Sequence, residues 1–198
     1  MTEPKSLFQM AGADPKPPSL SEAALVVIDA QNEYVTGALP LSGVNEAAAQ
    51  LSALIGRARS AGTTIVHIAH KGKPGGLFDR DADNGQIIAA AAPDEGEVVI
   101  EKPLPNAFAG TDLDAVLKTA GSKPLIIAGF MTHLCVSSTA RAALDLGYTT
   151  TIAADACATR DLPNPLGGLV SAQTIHDSSL TALGDRFACI VRIRTIPN

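Results

Sequence analysis

The chain has 198 residues, 46% hydrophobic and 18% charged, with a net charge of −5; that composition suits one globular domain with a sizeable core and excludes a disordered chain. It carries no run of lysine or arginine and only 4% aromatic residues, so there is neither a basic stripe nor a stacking platform, and nucleic acid is excluded as a partner. The opening residues lack an apolar leader core, no apolar stretch approaches membrane-spanning length, and three widely spaced cysteines (Cys135, Cys157, Cys189) form no disulfide framework; a cytoplasmic protein without membrane contact is expected.

Residues 1–22 contain Pro4, Pro15, Pro17 and Pro18 and read as an extended arm, which leaves 23–198 as a single domain. Its first strand, Ala24–Ile28, is an unbroken apolar run that closes on Asp29-Ala30-Gln31. A carboxylate at the end of a buried strand is costly unless paired, although an Asx-turn or a helix cap is the commoner reason for one. The helix Val44–Ala61 follows, with Val44, Ala47, Ala48, Leu51, Leu54, Ile55 and Ala58 on one face and Gly62 as its stop. A second strand, Thr64–Ala69, leads into an aperiodic stretch, 70–97, and a third, Val98–Glu101, runs into Lys102. A lysine in that place is most often solvated, with its stem along apolar surface.

A helix over Leu113–Ala120 precedes the strand Leu125–Ala128, which Gly129 is expected to end. Thr132 then reads as the N-cap of a helix over His133–Leu146, closed by Gly147. Cys135 falls in its first turn, where free N–H groups and the positive end of the helix dipole favour a thiolate. A buried, inert cysteine is the competing reading. The strand Thr149–Ala153, an aperiodic stretch 155–169, the helix Ser171–Leu183 and the strand Ala188–Ile193 complete the chain. Alternation of this kind predicts a three-layer α/β/α fold with a six-stranded, mostly parallel sheet in the order 3-2-1-4-5-6. Its site is expected at the carboxyl ends of the central strands, rimmed by the two aperiodic stretches.

With these elements in place the chain resembles the isochorismatase-like cysteine hydrolases, a superfamily that includes nicotinamidases and N-carbamoylsarcosine amidohydrolases. The matching residues are Asp29-Ala-Gln31, Lys102, the stretch Asn106-Ala-Phe108-Ala-Gly-Thr-Asp-Leu113, and Gly129-Phe-Met-Thr132-His-Leu-Cys135-Val136. Thr139-Ala-Arg141, Gly147-Tyr148 and Asp155-Ala-Cys157 follow in the right order. The resemblance implies Cys135 as nucleophile, Asp29 as general base and Lys102 as the cation between them. It also implies a cis peptide at Phe130–Met131, with the N–H groups of Met131 and Cys135 forming an oxyanion hole. By family position Gln31, Tyr34, Asn106, Phe108, Phe130 and Thr132 would line the substrate pocket, and His176 could face it. Core packing is an equally good account of Tyr34 and Phe108.

The chain departs from nicotinamidases at their Asp-x-His metal motif, where it has His67-Ile-Ala-His70. Residues i and i+3 of a strand point to opposite faces, so His67 and His70 would not share one ion. No metal and no other cofactor is therefore expected. The reading that results is a metal-independent hydrolase of an amide, ureido or lactam bond in a small molecule, in a homo-oligomer (dimer or tetramer). An ester or vinyl ether hydrolase on the same scaffold, or a non-catalytic binder or redox-active thiol protein, are the alternatives.

Overall fold

The computed structural model describes residues 3–121 and 123–198. The arm is not wholly extended: it contains a one-turn helix, α1 (Leu7–Met10), started by a reciprocal capping box between Ser6 and Gln9. A serine followed three residues later by glutamine is a local start signal that the surrounding prolines obscure. The Leu7 N–H donates to Asp185 at 2.7 Å, and the Cys189 thiol to the Pro15 carbonyl at 3.2 Å, fastening the arm to the C-terminal part of the domain.

Eight strands follow: β1 (Ala24–Ile28), β2 (Thr64–His70), β3 (Val98–Lys102), β4 (Leu125–Phe130), β5 (Thr150–Ala158), β6 (Leu162–Pro163), β7 (Leu169–Val170) and β8 (Cys189–Val191). Six of them form one sheet in the order β3-β2-β1-β4-β5-β8, parallel throughout, which is the doubly wound order the sequence predicts. Strands β6 and β7 make a small antiparallel hairpin inside the stretch 155–169. The first residues of that stretch also prolong β5: past an irregularity around Asp155, Cys157 and Ala158 pair with Gly129 and Phe130 of β4.

Four further helices flank the sheet: α2 (Val44–Ser60), α3 (Leu113–Thr119), α4 (Ser137–Asp145) and α5 (Ala172–Arg186). Strand β1 shows why both faces must be covered. Leu25 and Val27 pack with Leu51, Leu54 and Ile55 of α2, while Val26 and Ile28 pack with Leu117 of α3, Ala140 of α4 and Leu183 of α5. A strand buried on both faces reads as a continuous apolar run rather than an alternating one. No helix among the described residues is long and apolar enough to cross a membrane.

Gly129 does not end β4. The strand runs through it to Phe130, with a register shift against β5 between Ile127 and Gly129. Its φ is +115°, and a Cβ there would lie 2.1 Å from the Ile28 carbonyl oxygen of β1. Glycine is needed because two backbones approach too closely for a side chain. We expect Gly129→Ala to lose about 3 kcal/mol or more of stability, combining overpacking with an unfavourable φ. A lower denaturant midpoint at unchanged slope would show it; a variant as stable as the parent would refute the close approach.

Candidate active site

The carboxyl ends of β1, β2, β3 and β4 converge on one buried cluster. Asp29 follows β1 directly, in a left-handed conformation (φ 45°) that aspartate tolerates better than most residues. Its N–H is bonded to the Ile68 carbonyl at 2.9 Å and its own carbonyl accepts from Gln31 N–H at 2.8 Å. Lys102 ends β3, paired in register with His70 of β2. Its side chain reaches across the end of β2, so that Nζ lies 2.8 Å from Asp29 Oδ2. The same ammonium donates to the Leu104 carbonyl at 3.0 Å and to Cys135 Sγ at 3.4 Å. Asp29 and Lys102 have no exposed surface, and Cys135 is 3% exposed.

Cys135 lies in a π-type turn, Thr132–Val136, that leads into α4; the Val136 N–H bonds to the Met131 carbonyl five residues back at 3.2 Å. Thr132 does not cap the helix, as the sequence suggests it would. Its hydroxyl donates to the Ala158 carbonyl at 3.1 Å and sits 2.9 Å from His176 Nδ1. The peptide bond between Phe130 and Met131, just before this turn, is cis.

The electrostatics also differ from the sequence-based expectation of a thiolate. Burial, then the Asp29 charge, push the Cys135 thiol up to about 12, against the pull of Lys102. Burial, with the carboxylate alongside, outweighs the helix-start effect and favours the thiol at rest. Burial likewise raises the Asp29 carboxyl above the usual carboxylate range, with Lys102 opposing it, which makes its anion a stronger base than an exposed aspartate.

The other expected pocket residues fall into two groups. Tyr34 and Phe130 stand beside the cluster, with ring centroids 6.0 Å apart. Burial first, then the Asp29 and Cys135 charges, push the Tyr34 hydroxyl up. Gln31 is different: its amide donates to the carbonyls of His70 (2.9 Å) and Gly85 (2.7 Å) and accepts from His70 N–H (2.8 Å). It braces the wall of the site and leaves no donor for a substrate. Asn106 uses Oδ1 on the Phe108 N–H at 2.9 Å, and the half-buried Phe108 stacks on Tyr148 and packs against the core. His176 borders a cavity of about 450 Å³ with Asp155, Cys157, Thr159 and Asp161, none of them in the Asp29–Lys102–Cys135 cluster. His67 meets Glu97 (Nε2–Oε2 2.7 Å), while His70 faces Lys102, so the two rings occupy different environments.

Two residues of the site carry no signal in the sequence. Glu33 is fully buried and accepts from Ala38 N–H (2.6 Å), Phe78 N–H (3.2 Å) and the Asn84 amide. It pins the 71–86 segment so that Phe78 packs edge-on to both Tyr34 and His70. Arg160 follows β5, and its charge acts on both the Tyr34 hydroxyl and the His133 imidazole. Its Nε is buried without a hydrogen-bond partner, and the guanidinium forms no ion pair among the described residues. An arginine in a Gly/Asp/Pro-rich stretch looks like ordinary surface until the strand before it is known to end beside the site.

The isochorismatase domain profile matches residues 23–193. A crystal structure of an isochorismatase from Pseudomonas putida superposes with a TM-score of 0.93 at 43% identity, covering 98% of this chain and all of that one (100%). A secreted isochorismatase effector, Isc1, of the fungus Verticillium dahliae is 34% identical over 96% of this chain and 98% of its own. Maleamate amidohydrolase of Pseudomonas putida is 33% identical over 65% of this chain and 68% of its own length.

The charges predict how the thiol reacts. The Asp29 anion raises the Cys135 thiol, so Asp29→Asn lowers its titration point and enlarges the thiolate fraction at a given pH. Alkylation of Cys135 by iodoacetamide at pH 9 should be faster in Asp29→Asn than in the parent, by roughly three-fold or more, because the thiolate fraction grows as the titration point falls. An equal or slower rate would rule out this coupling.

Proposed function

The chain belongs to the isochorismatase family, and within it we propose that this protein is a cysteine hydrolase that opens a C–N bond of a small, anionic amide through a thioester. One observation supports the reading above others: Lys102 Nζ stands between Asp29 Oδ2 (2.8 Å) and Cys135 Sγ (3.4 Å), with all three groups withdrawn from water. A cation shared by a carboxylate and a sulfur stabilises the thiolate as it forms and keeps the carboxylate aimed.

The cycle balances on these residues. Asp29 takes the thiol proton as Cys135 Sγ attacks the carbonyl carbon, and the carbonyl π electrons move onto oxygen. That oxyanion would be held by the N–H groups of Met131 and Cys135, each worth about 3 kcal/mol of barrier. Collapse breaks the C–N bond, and protonated Asp29 returns its proton to the leaving nitrogen. Asp29, again a carboxylate, then takes a proton from water as it attacks the thioester, and the proton ends on the released thiolate. No step calls on a metal. The raised Asp29 carboxyl suits the base role, since a base whose pKa lies closer to working pH transfers protons more effectively.

Arg160 supports the anionic substrate. A buried guanidinium nitrogen without a partner is costly, and a bidentate carboxylate is the group that best satisfies it. Maleamate, the substrate that names one relative, joins an amide to a carboxylate in one small molecule.

Ammonia release from a panel of small amides, ureido acids and lactams tests the proposal. We expect turnover with carboxylate-bearing amides that is insensitive to chelator and falls at least about a thousand-fold in Cys135→Ala. Turnover unchanged by that substitution would sink the nucleophile; turnover of esters or vinyl ethers alone would replace the bond class. Arg160→Met should raise KM for the carboxylate substrate by about ten-fold or more and leave neutral amides unaffected. The pH profile should show one acid limb: kcat/KM falls as pH drops through the raised Asp29 pKa, above the ordinary value of about 3.9. With the thiol titrating near 12, no limb due to Cys135 should appear between pH 6 and 10.

A further inference from the structure

The Lys102 ammonium has three N–H groups and four neighbours. Asp29 Oδ2 is its ion-pair partner at 2.8 Å, and the Leu104 carbonyl accepts from it at 3.0 Å. Cys135 Sγ and His70 Nδ1 follow, each 3.4 Å away; four partners draw on three N–H groups, and once the two nearer ones are served the last is shared. An ammonium cannot accept, so His70 Nδ1 must be the acceptor, and its proton must be on Nε2. The His70 backbone is fixed on both sides by Gln31, whose amide donates to its carbonyl and accepts from its N–H. Its ring is held edge-on to Phe78, 5.1 Å between centroids, and Glu33 anchors that phenylalanine's backbone. This is more support than a bystander at a strand end needs.

We propose that His70 is a positioning residue that competes with Cys135 for the third N–H of Lys102, and so keeps the resting nucleophile a thiol until Asp29 removes its proton. As the sulfur gains charge during attack, the N–H moves from imidazole to thiolate, so the stabilisation arrives with the charge. The other ionisable groups facing the ammonium are Asp29 from the end of β1 and Cys135 from the π-type turn, with Tyr34 and Arg160 acting on the site from farther out. Burial and the Lys102 charge hold the His70 imidazole down at about 4, so it stays a neutral acceptor across the working range. The inference rests on the Asp29–Lys102–Cys135 reading of the site, but its test needs no substrate.

His70→Asn and His70→Leu are nearly isosteric, and the asparagine oxygen falls close to the place of Nδ1, so their difference isolates the acceptor. Iodoacetamide alkylation of Cys135 would be followed from pH 7 to 10 in both, with thermal unfolding alongside. We expect His70→Asn to match the parent and His70→Leu to react about five-fold faster or more at pH 8, with the difference abolished in a Lys102→Met background. His70→Leu as slow as His70→Asn, or slower, would overturn the proposal, as would a difference that survives without Lys102. Should either variant fail to fold, the nitrogen chemical shifts of His70 in the parent decide the matter. A neutral ring with the proton on Nε2 from pH 5 to 8 supports the competition, and a proton on Nδ1 refutes it. Absence of hydrolytic activity in the parent would sink the proposed function and leave these outcomes readable.

Discussion

The ion pair between Asp29 and Lys102 joins two side chains with no exposed surface across 2.8 Å, and alone each would cost several kcal/mol in that interior. Neither charge can be removed singly without stranding the other. The pair therefore dictates much of its surroundings: a strand that carries Lys102 to the right height, a carbonyl at Leu104 to take a second N–H, and a third N–H left for sulfur. It also raises the neighbouring thiol through Asp29. The same carboxylate that disfavours the thiolate at rest is the base that would produce it in reaction.

Parallel order is what makes the pairing possible. All six strands of the main sheet point the same way, so their carboxyl ends share one edge. β1 and β4 are adjacent, which brings Asp29 and the turn bearing Cys135 together. β3 is two strands from β1, about 10 Å away at the usual spacing, and only a long side chain spans that gap. Lysine has that length, and the in-register pairing of its residue with His70 gives it the height. Around this edge the second tier is built from groups that hold backbone rather than substrate: Gln31 on His70 and Gly85, Glu33 on Ala38 and Phe78, Thr132 on Ala158.

Much of this was legible in the chain. The apolar runs at Ala24–Ile28 and Leu125–Ala128, the periodic face of Val44–Ala61 and the glycine stops placed the elements to within a residue or a few. The alternation of strand and helix gave the sheet order, and the motif residues Asp29, Lys102 and Cys135 marked its working edge. The misreadings share one cause. Gly129 reads as a stop because its role is to let two backbones touch. Thr132 reads as a cap because Ala158 and His176, its actual partners, are 26 and 44 residues away. Gln31 and His176 read as substrate ligands; Gln31 is spent on backbone, and His176 stands against Thr132 at a cavity it shares with Asp155 and Cys157.

Local chemistry is written in the sequence because caps, periodicity and strand composition depend on neighbours a few residues apart. By itself it determined the α/β architecture, the order of the sheet and the residue types available at its carboxyl edge. Tertiary structure alone decided the direction in which the Cys135 thiol is pushed, the reach of Lys102 and the burial of the Arg160 Nε without a partner. It also decided the sharing of one N–H between a sulfur and the His70 ring. Those properties depend on distance through space and on the loss of water around charges, and both are set when segments some 30 to 130 residues apart close on one another.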